Sequence, residues 1–113
     1  MPGHWLARDG QVLAPLELAT TARARSRGLL GRDGIEGAML LRPACCVHSF
    51  GMRFDLDVAF LDRHGVVLRT TRLPRNRMTA VVPRARGVVE AQAGTFVAWK
   101  LGVGDRLAVE PPP

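Results

Sequence analysis

Two aspartates, Asp55 and Asp57, stand one residue apart in the stretch HSFGMRFDLDVAFLDRHG, residues 48–65. On one extended strand they share a face with Cα atoms about 6.6 Å apart. At roughly that range two carboxyls can divide the acid and base work of a glycosidase-type hydrolysis. The even positions Phe50, Met52, Phe54, Leu56, Val58 and Phe60 are all apolar, and such alternation marks a strand with one buried face. The acids are therefore either a catalytic pair or the wet side of a strand.

Cys45-Cys46-x-His48 brings thiolate and imidazole together, and both are zinc ligands. Adjacent cysteines depart from the usual two-to-four-residue spacing, and no second cysteine cluster follows, so no metal is assigned. A Cys–His nucleophilic pair needs a group that orients the base, and none is evident. Packed thiols are the simpler reading. Neighbouring Cα atoms lie about 3.8 Å apart, short of the roughly 4.4–6.8 Å usual for a disulfide, so both thiols are read as free. Free thiols suit a reducing compartment. Asp9, Pro15 and Glu17 interrupt the N-terminal stretch, and no run approaches the ~18 apolar residues of a membrane span. The expected location is the cytoplasm. Gly28, Gly31 and Gly34 lack the Lys-Ser/Thr of a phosphate loop, and no cofactor is assigned.

Arg69, Arg72, Arg75, Arg77, Arg84 and Arg86 crowd one segment that holds no acid before Glu90. The chain carries a net charge of +6, and all but Lys100 of its 16 basic residues are arginine. Phosphate contact requires such charges, and base stacking requires aromatics among them. None lies between Phe60 and Phe96, so a solvated loop face is preferred. Binding of nucleic acid or an anionic membrane surface through this segment is the alternative.

These residues must be positioned by a chain of 113 residues, the length of one domain, taken as 1–113 with a proline tail at 111–113. Hydrophobic content of 47 % and charged content of 23 % are globular values. Residues 5–8 and 12–18 read as strands around an Asp9-Gly10 turn. Pro15 weakens the second strand or places it on an edge. Thr20 or Thr21 caps a helix over 22–30, with Gly31 as its stop. Residues 38–41 form a short buried strand ended by Pro43. Asp62-Arg63-His64-Gly65 is a hairpin turn into a strand at 66–71. Residues 88–92 and 105–109 are strands, and Thr95 caps a helical turn or two through Trp99.

Residues 48–61 drawn out as one straight strand would span roughly 46 Å. A domain of this size is roughly 35 Å across. The stretch must therefore bend, and Gly51 and Asp55 are its weak points. Seven or eight short strands, one helix at about 21–30 and frequent turns predict a mainly β fold, an antiparallel sandwich or a jelly-roll-like small barrel.

An ordered set of motifs then gives the chain a likeness. Arg27-Gly28-Leu29-Leu30-Gly31-Arg32, Met39-Leu40, His48-Ser49-Phe50-Gly51-Met52-Arg53-Phe54, Leu56-Asp57, Phe60-Leu61-Asp62, Gly65-Val66-Val67, Val89-Glu90, Ala93-Gly94-Thr95 and Gly104-Asp105 occur in register. From about Ala19 to Ala108 the chain resembles domain-of-unknown-function family 192, small bacterial and archaeal proteins without a settled activity. The family usually has proline where Asp55 stands. The resemblance thus implies a bend near residue 55, and it also implies a jelly-roll-like β fold.

With a bend at 55 the two acids separate, and Asp57 is the better-motivated residue. It precedes an apolar run, so it is expected to be buried and paired with an arginine, Arg27 or Arg32. The expected function is a non-enzymatic small binding or accessory module. Its ligand pocket would lie near Asp57, with Arg27, Arg32 and His48 around it and Glu90 adjacent. A small hydrolase using Asp57 as its acid or base is the rival. The partner, a small ligand or another protein, is left open.

Overall fold

In a computed structural model of the protein, which describes residues 3–111, seven strands and two short helices follow one another along the chain. They are β1 (His4–Arg8), β2 (Gln11–Ala19), α1 (Ala22–Arg27), β3 (Ala38–Leu41), β4 (Leu56–Leu61), β5 (Val67–Leu73), β6 (Gly87–Gln92), α2 (Thr95–Trp99) and β7 (Leu107–Glu110). The strands form one sheet in the order β5-β4-β6-β3-β2-β1-β7. The mainly β expectation holds, in its barrel-like rather than its two-sheet form.

The sheet curls until its two edges meet. Val66 and Arg106 form a bridge just before β5 and β7, and Val67 N–H donates to the Asp105 carbonyl at 2.8 Å. This stitching gives a half-barrel closed at one end. Pairing is antiparallel except between β2 and β3, which run parallel. Parallel neighbours need a crossover, and residues 20–37, including α1, supply it.

Two apolar layers sandwich the sheet. Leu6, Leu16, Leu40, Leu61, Val67, Val89 and Leu107 come from all seven strands and pack with Phe96 of α2, so they line the concave face. Met39, Leu41, Leu56, Val58, Phe60, Leu73 and Val88 lie on the other face. There the connections cover them with Leu29, Val47, Met52, Phe54 and Ala85. The central strands β3, β4 and β6 are thus buried on both faces, which is why they read as continuous apolar runs. Each fully buried Leu, Val or Phe stabilises the fold by about 1.5–3 kcal/mol.

The bend falls where size arithmetic and the family likeness put it. β4 begins at Leu56, and residues 48–55 form a separate loop tied down by Met52 N–H donating to Ser49 O at 3.1 Å. The alternation fails inside that loop. Ser49 is fully buried, its hydroxyl donating to the carbonyls of Pro74 and Arg77 and its N–H to that of Arg77, whereas Phe50 is 49 % exposed. Three local readings are corrected. α1 ends at Arg27 with Gly28 as its cap rather than running on to Leu30, although Thr21 Oγ1 does accept from Ala24 N at 3.0 Å. α2 covers Thr95–Trp99 as expected, but Gly94 rather than Thr95 is its cap, and no side chain caps it. β2 is an interior strand despite Pro15, because its pairing with β3 starts only at Leu16 and the proline faces β1 alone. Of the proline tail, Pro112 and Pro113 lie outside the described residues.

Candidate functional site

Asp57 does not sit beside Arg27 or Arg32. It stands opposite Arg72 across β4 and β5, and Arg72 Nε donates to its Oδ1 at 2.9 Å. Its Oδ2 accepts from the backbone N–H groups of Gly94 at 2.9 Å and Phe96 at 3.0 Å. Buried and holding three donors, Asp57 anchors the start of α2 against the sheet. The expectation of a buried carboxylate paired with arginine is met, with a different arginine. Counted from Leu61 opposite Val67, an unbroken hairpin would place Thr71 opposite Asp57. The irregularity between Phe60 and Leu61 slides the register to Arg72.

Arg32 is committed elsewhere. Its two terminal nitrogens clasp Glu17 at 2.7 and 2.9 Å, and that bond holds the Glu17 carboxyl below its ordinary range. Asp55, the other member of the supposed pair, points to the loop after β5, where it accepts from Arg75 N–H at 3.0 Å. The two acids do not share a site.

Glu90, Arg27 and His48 do come together. A cleft of about 480 Å³ opens between α1, the loop at 43–52 and the convex face of the sheet, with Glu90 on its floor. Glu90 pairs with Met39 on β3 and Val58 on β4, so its carboxyl stands in a row of apolar side chains. It is 3 % exposed, and among the described residues no protein group donates to it. Burial pushes its pKa up to about 7. α1 ends directly above it. Gly28, at φ 48°, brings backbone so near that an added Cβ would lie 3.9 Å from Glu90 Oε1.

The mouth of the cleft mixes charge with apolar surface. Arg27 is exposed on its rim, and Arg25 donates to the Thr20 carbonyl at 2.9 Å. His48 stacks on Phe50 with ring centroids 5.2 Å apart and accepts from Phe50 N–H through Nδ1. The half-exposed Phe50 and Leu30 flank the opening. Cys45 and Cys46, both free, line the same wall, and burial beside Cys45 pushes the Cys46 thiol up. Sequence reasoning passed over Arg25 and these thiols as parts of a cleft, because only the fold of residues 43–52 over α1 brings them to Glu90. Among the described residues, no cluster of three His, Cys, Asp or Glu side chains could hold a metal ion.

The arginine segment is divided. Arg72 is bound to Asp57, and Arg75 lies 3.6 Å from Asp55. Arg69, Arg72 and Arg77 line a groove of about 270 Å³, whereas Arg84 and Arg86 line a separate one with Asp62, Arg63 and His64. Along β5, Arg69 opposes Phe60 of the convex face while Arg72 opposes Asp57 of the concave face. Five of these arginines thus divide between two grooves.

A curled β half-barrel is also the fold of two solved structures. A protein of unknown function from Novosphingobium aromaticivorans DSM 12444 superposes with a TM-score of 0.79 at 17 % identity, covering 94 % of this chain and 83 % of its own. A protein from Sinorhizobium meliloti 1021 described as a "putative transcription regulator" gives 0.76 at 22 % identity, covering 94 % and 91 %. At these identities the likeness is one of fold. Comparison with curated proteins finds no match. The profile of the DUF192 family, described as Uncharacterized ACR, matches residues 5–109. The chain belongs to that family.

Proposed function

We propose that the chain is a small, non-enzymatic binding or accessory module that takes its ligand in the cleft over Glu90. The observation that supports this most is the buried Glu90 carboxyl, which has no protein donor and faces open volume. Buried polar groups are costly unless hydrogen-bonded. Among the described residues no fully buried side-chain oxygen lacks a partner, so the Glu90 oxygens reach the cleft, where a ligand can donate to them. A concave, largely apolar site with a few converging polar groups is the usual form of a small-molecule site. The segments that carry the family resemblance also contribute Arg27 to Leu30, His48, Phe50, Met52 and Glu90 to its lining. Hydrolysis through Asp57 draws no support, because both oxygens of Asp57 are engaged by the protein. Among the described residues Glu90 is the single acid of the cleft, so a two-carboxylate mechanism draws no support there. The free thiols on the cleft wall support a reducing compartment such as the cytoplasm.

The test is a fragment screen on the full chain read by amide chemical shifts. Hits that shift residues 27–30, 45–52 and 90 support the reading. Hits confined to the neighbourhood of Asp57 or to the Arg69–Arg77 groove, or no hits at all, overturn it.

A further inference from the structure

We propose that the cleft selects a small monoanion with an apolar tail, and that this ligand binds with uptake of one proton, shared between its anionic group and the Glu90 carboxyl. The inference rests on the binding reading above and names the class of ligand. Its basis is the charge arrangement around Glu90. The titratable groups facing it are Arg25 and Arg27 from α1 and Cys45, Cys46 and His48 from the covering loop. Its strand neighbours, Met39 and Val58, carry no charge. Two guanidiniums at the mouth of a chain with net charge +6 draw anions in and repel amines.

An anion that met an ionised Glu90 would be repelled by it at close range. An anion that meets the protonated acid accepts a short, charge-assisted hydrogen bond from it. Because Glu90 sits near 7 through burial, holding that proton at neutral pH costs little. Arg27, free of any protein acceptor among the described residues, is placed to neutralise the ligand's charge. Leu29, Leu41, Val47 and Met52 line the cleft beyond these groups and offer surface to an alkyl tail. Each methylene buried there contributes about 0.8 kcal/mol.

Three probes of equal length separate the possibilities: hexanoate, hexanamide and hexylamine, titrated into the full chain by calorimetry and amide shifts. Hexanoate is expected to bind best. Its affinity falls about fivefold between about pH 7 and about pH 8 and approaches about tenfold per pH unit above that, the slope of one linked proton. The measured heat should also vary with the ionisation enthalpy of the buffer in the direction of proton uptake. Glu90→Gln, whose amide still donates, retains hexanoate binding and loses the pH dependence. Arg27→Gln weakens hexanoate at every pH and leaves the dependence intact. His48→Gln, which removes the imidazole at the cleft mouth, must also keep the dependence. Tightest binding of hexylamine or hexanamide, or a pH dependence that survives in Glu90→Gln, overturns the ligand class while the cleft remains a binding site. Failure of all three probes overturns the ligand class too, and the fragment screen then decides separately whether the cleft binds anything.

Discussion

Asp57 and Arg72 face each other across β4 and β5, and the 2.9 Å bond between them joins a carboxylate 6 % exposed to a guanidinium 53 % exposed. The asymmetry makes the two ends of the bond unequal. Removing the buried end strands two backbone donors of α2, whereas removing the exposed end frees a carboxylate that keeps those donors.

Asp57→Asn is therefore expected to destabilise the protein by about 2 kcal/mol, the scale of hydrogen bonds to a charged group. Arg72→Met should cost within about 1 kcal/mol, as half-exposed ion pairs do. Urea unfolding of both variants measures the difference. An unchanged midpoint in Asp57→Asn would rule out the anchoring role.

Glu90 ties stability to pH in the direction opposite to an ordinary paired carboxylate. Its pKa is raised from 4.5 to about 7, so the native state keeps a proton that the unfolded chain has lost. The stabilisation is complete below about pH 4.5 and disappears as pH rises through about 7, a change on the order of 2–3 kcal/mol. Denaturation midpoints across this range should fall with rising pH in the wild type and stay level in Glu90→Gln. Equal slopes in the two proteins would refute the assignment.

Gly65 marks where the sheet edges meet. Its φ is 82°, Leu107 N–H donates to its carbonyl at 2.8 Å, and a Cβ there would run into the Leu107 carbonyl. Gly65→Ala combines a left-handed backbone penalty of about 1–2 kcal/mol with that collision. A fall in Tm on the order of 10 °C is expected for a chain of this size. A shift of only a degree or two would show that the edges are not joined through this contact.

Cys46 is exposed, yet burial of its thiol beside Cys45 raises it above the ordinary range. Thiolate is the reacting form. Alkylation of Cys46 by iodoacetamide near neutral pH should thus be slower than that of free glutathione, and should quicken as pH rises. Peptide mapping by mass spectrometry gives the rate, and a Cys46 faster than glutathione would contradict the expectation.

What could be read from the residues was what local chemistry controls. The Asp62–Gly65 turn is one case: Asp62 Oδ1 accepts from His64 N–H at 2.8 Å and Val66 N–H at 3.0 Å, so the hairpin was legible in four letters. The break before Leu56 was legible because a straight strand would overrun the molecule, whose longest extent is 35 Å. The partner of Asp57 was not, since a one-residue register slip between Phe60 and Leu61 moves every later pairing. Phe50 and Ser49 exchanged places because the Ser49 hydroxyl found the Pro74 and Arg77 carbonyls, contacts across some 25 residues of chain. Glu90 was legible only as a neighbour of the pocket expected near Asp57. Its isolation from donors, however, depends on Met39 and Val58, which only the assembled sheet sets beside it.

The crossover and the sheet order also bear on how the chain emerges during synthesis. β3 can pair with β2 soon after both exist, but its other edge belongs to β6, and Ala38–Leu41 wait for residues 88–91. β6 in turn joins β3 to β4, so the middle of the sheet is completed by nearly the last strand made. Pairings this distant along the chain slow folding, and apolar strands kept waiting invite association between nascent chains. A ribosome-bound chain cut short before Gly87 would therefore present Ala38-Met39-Leu40-Leu41 as an unpaired apolar edge. Its first folding hazard lies in that four-residue strand, well away from the cleft.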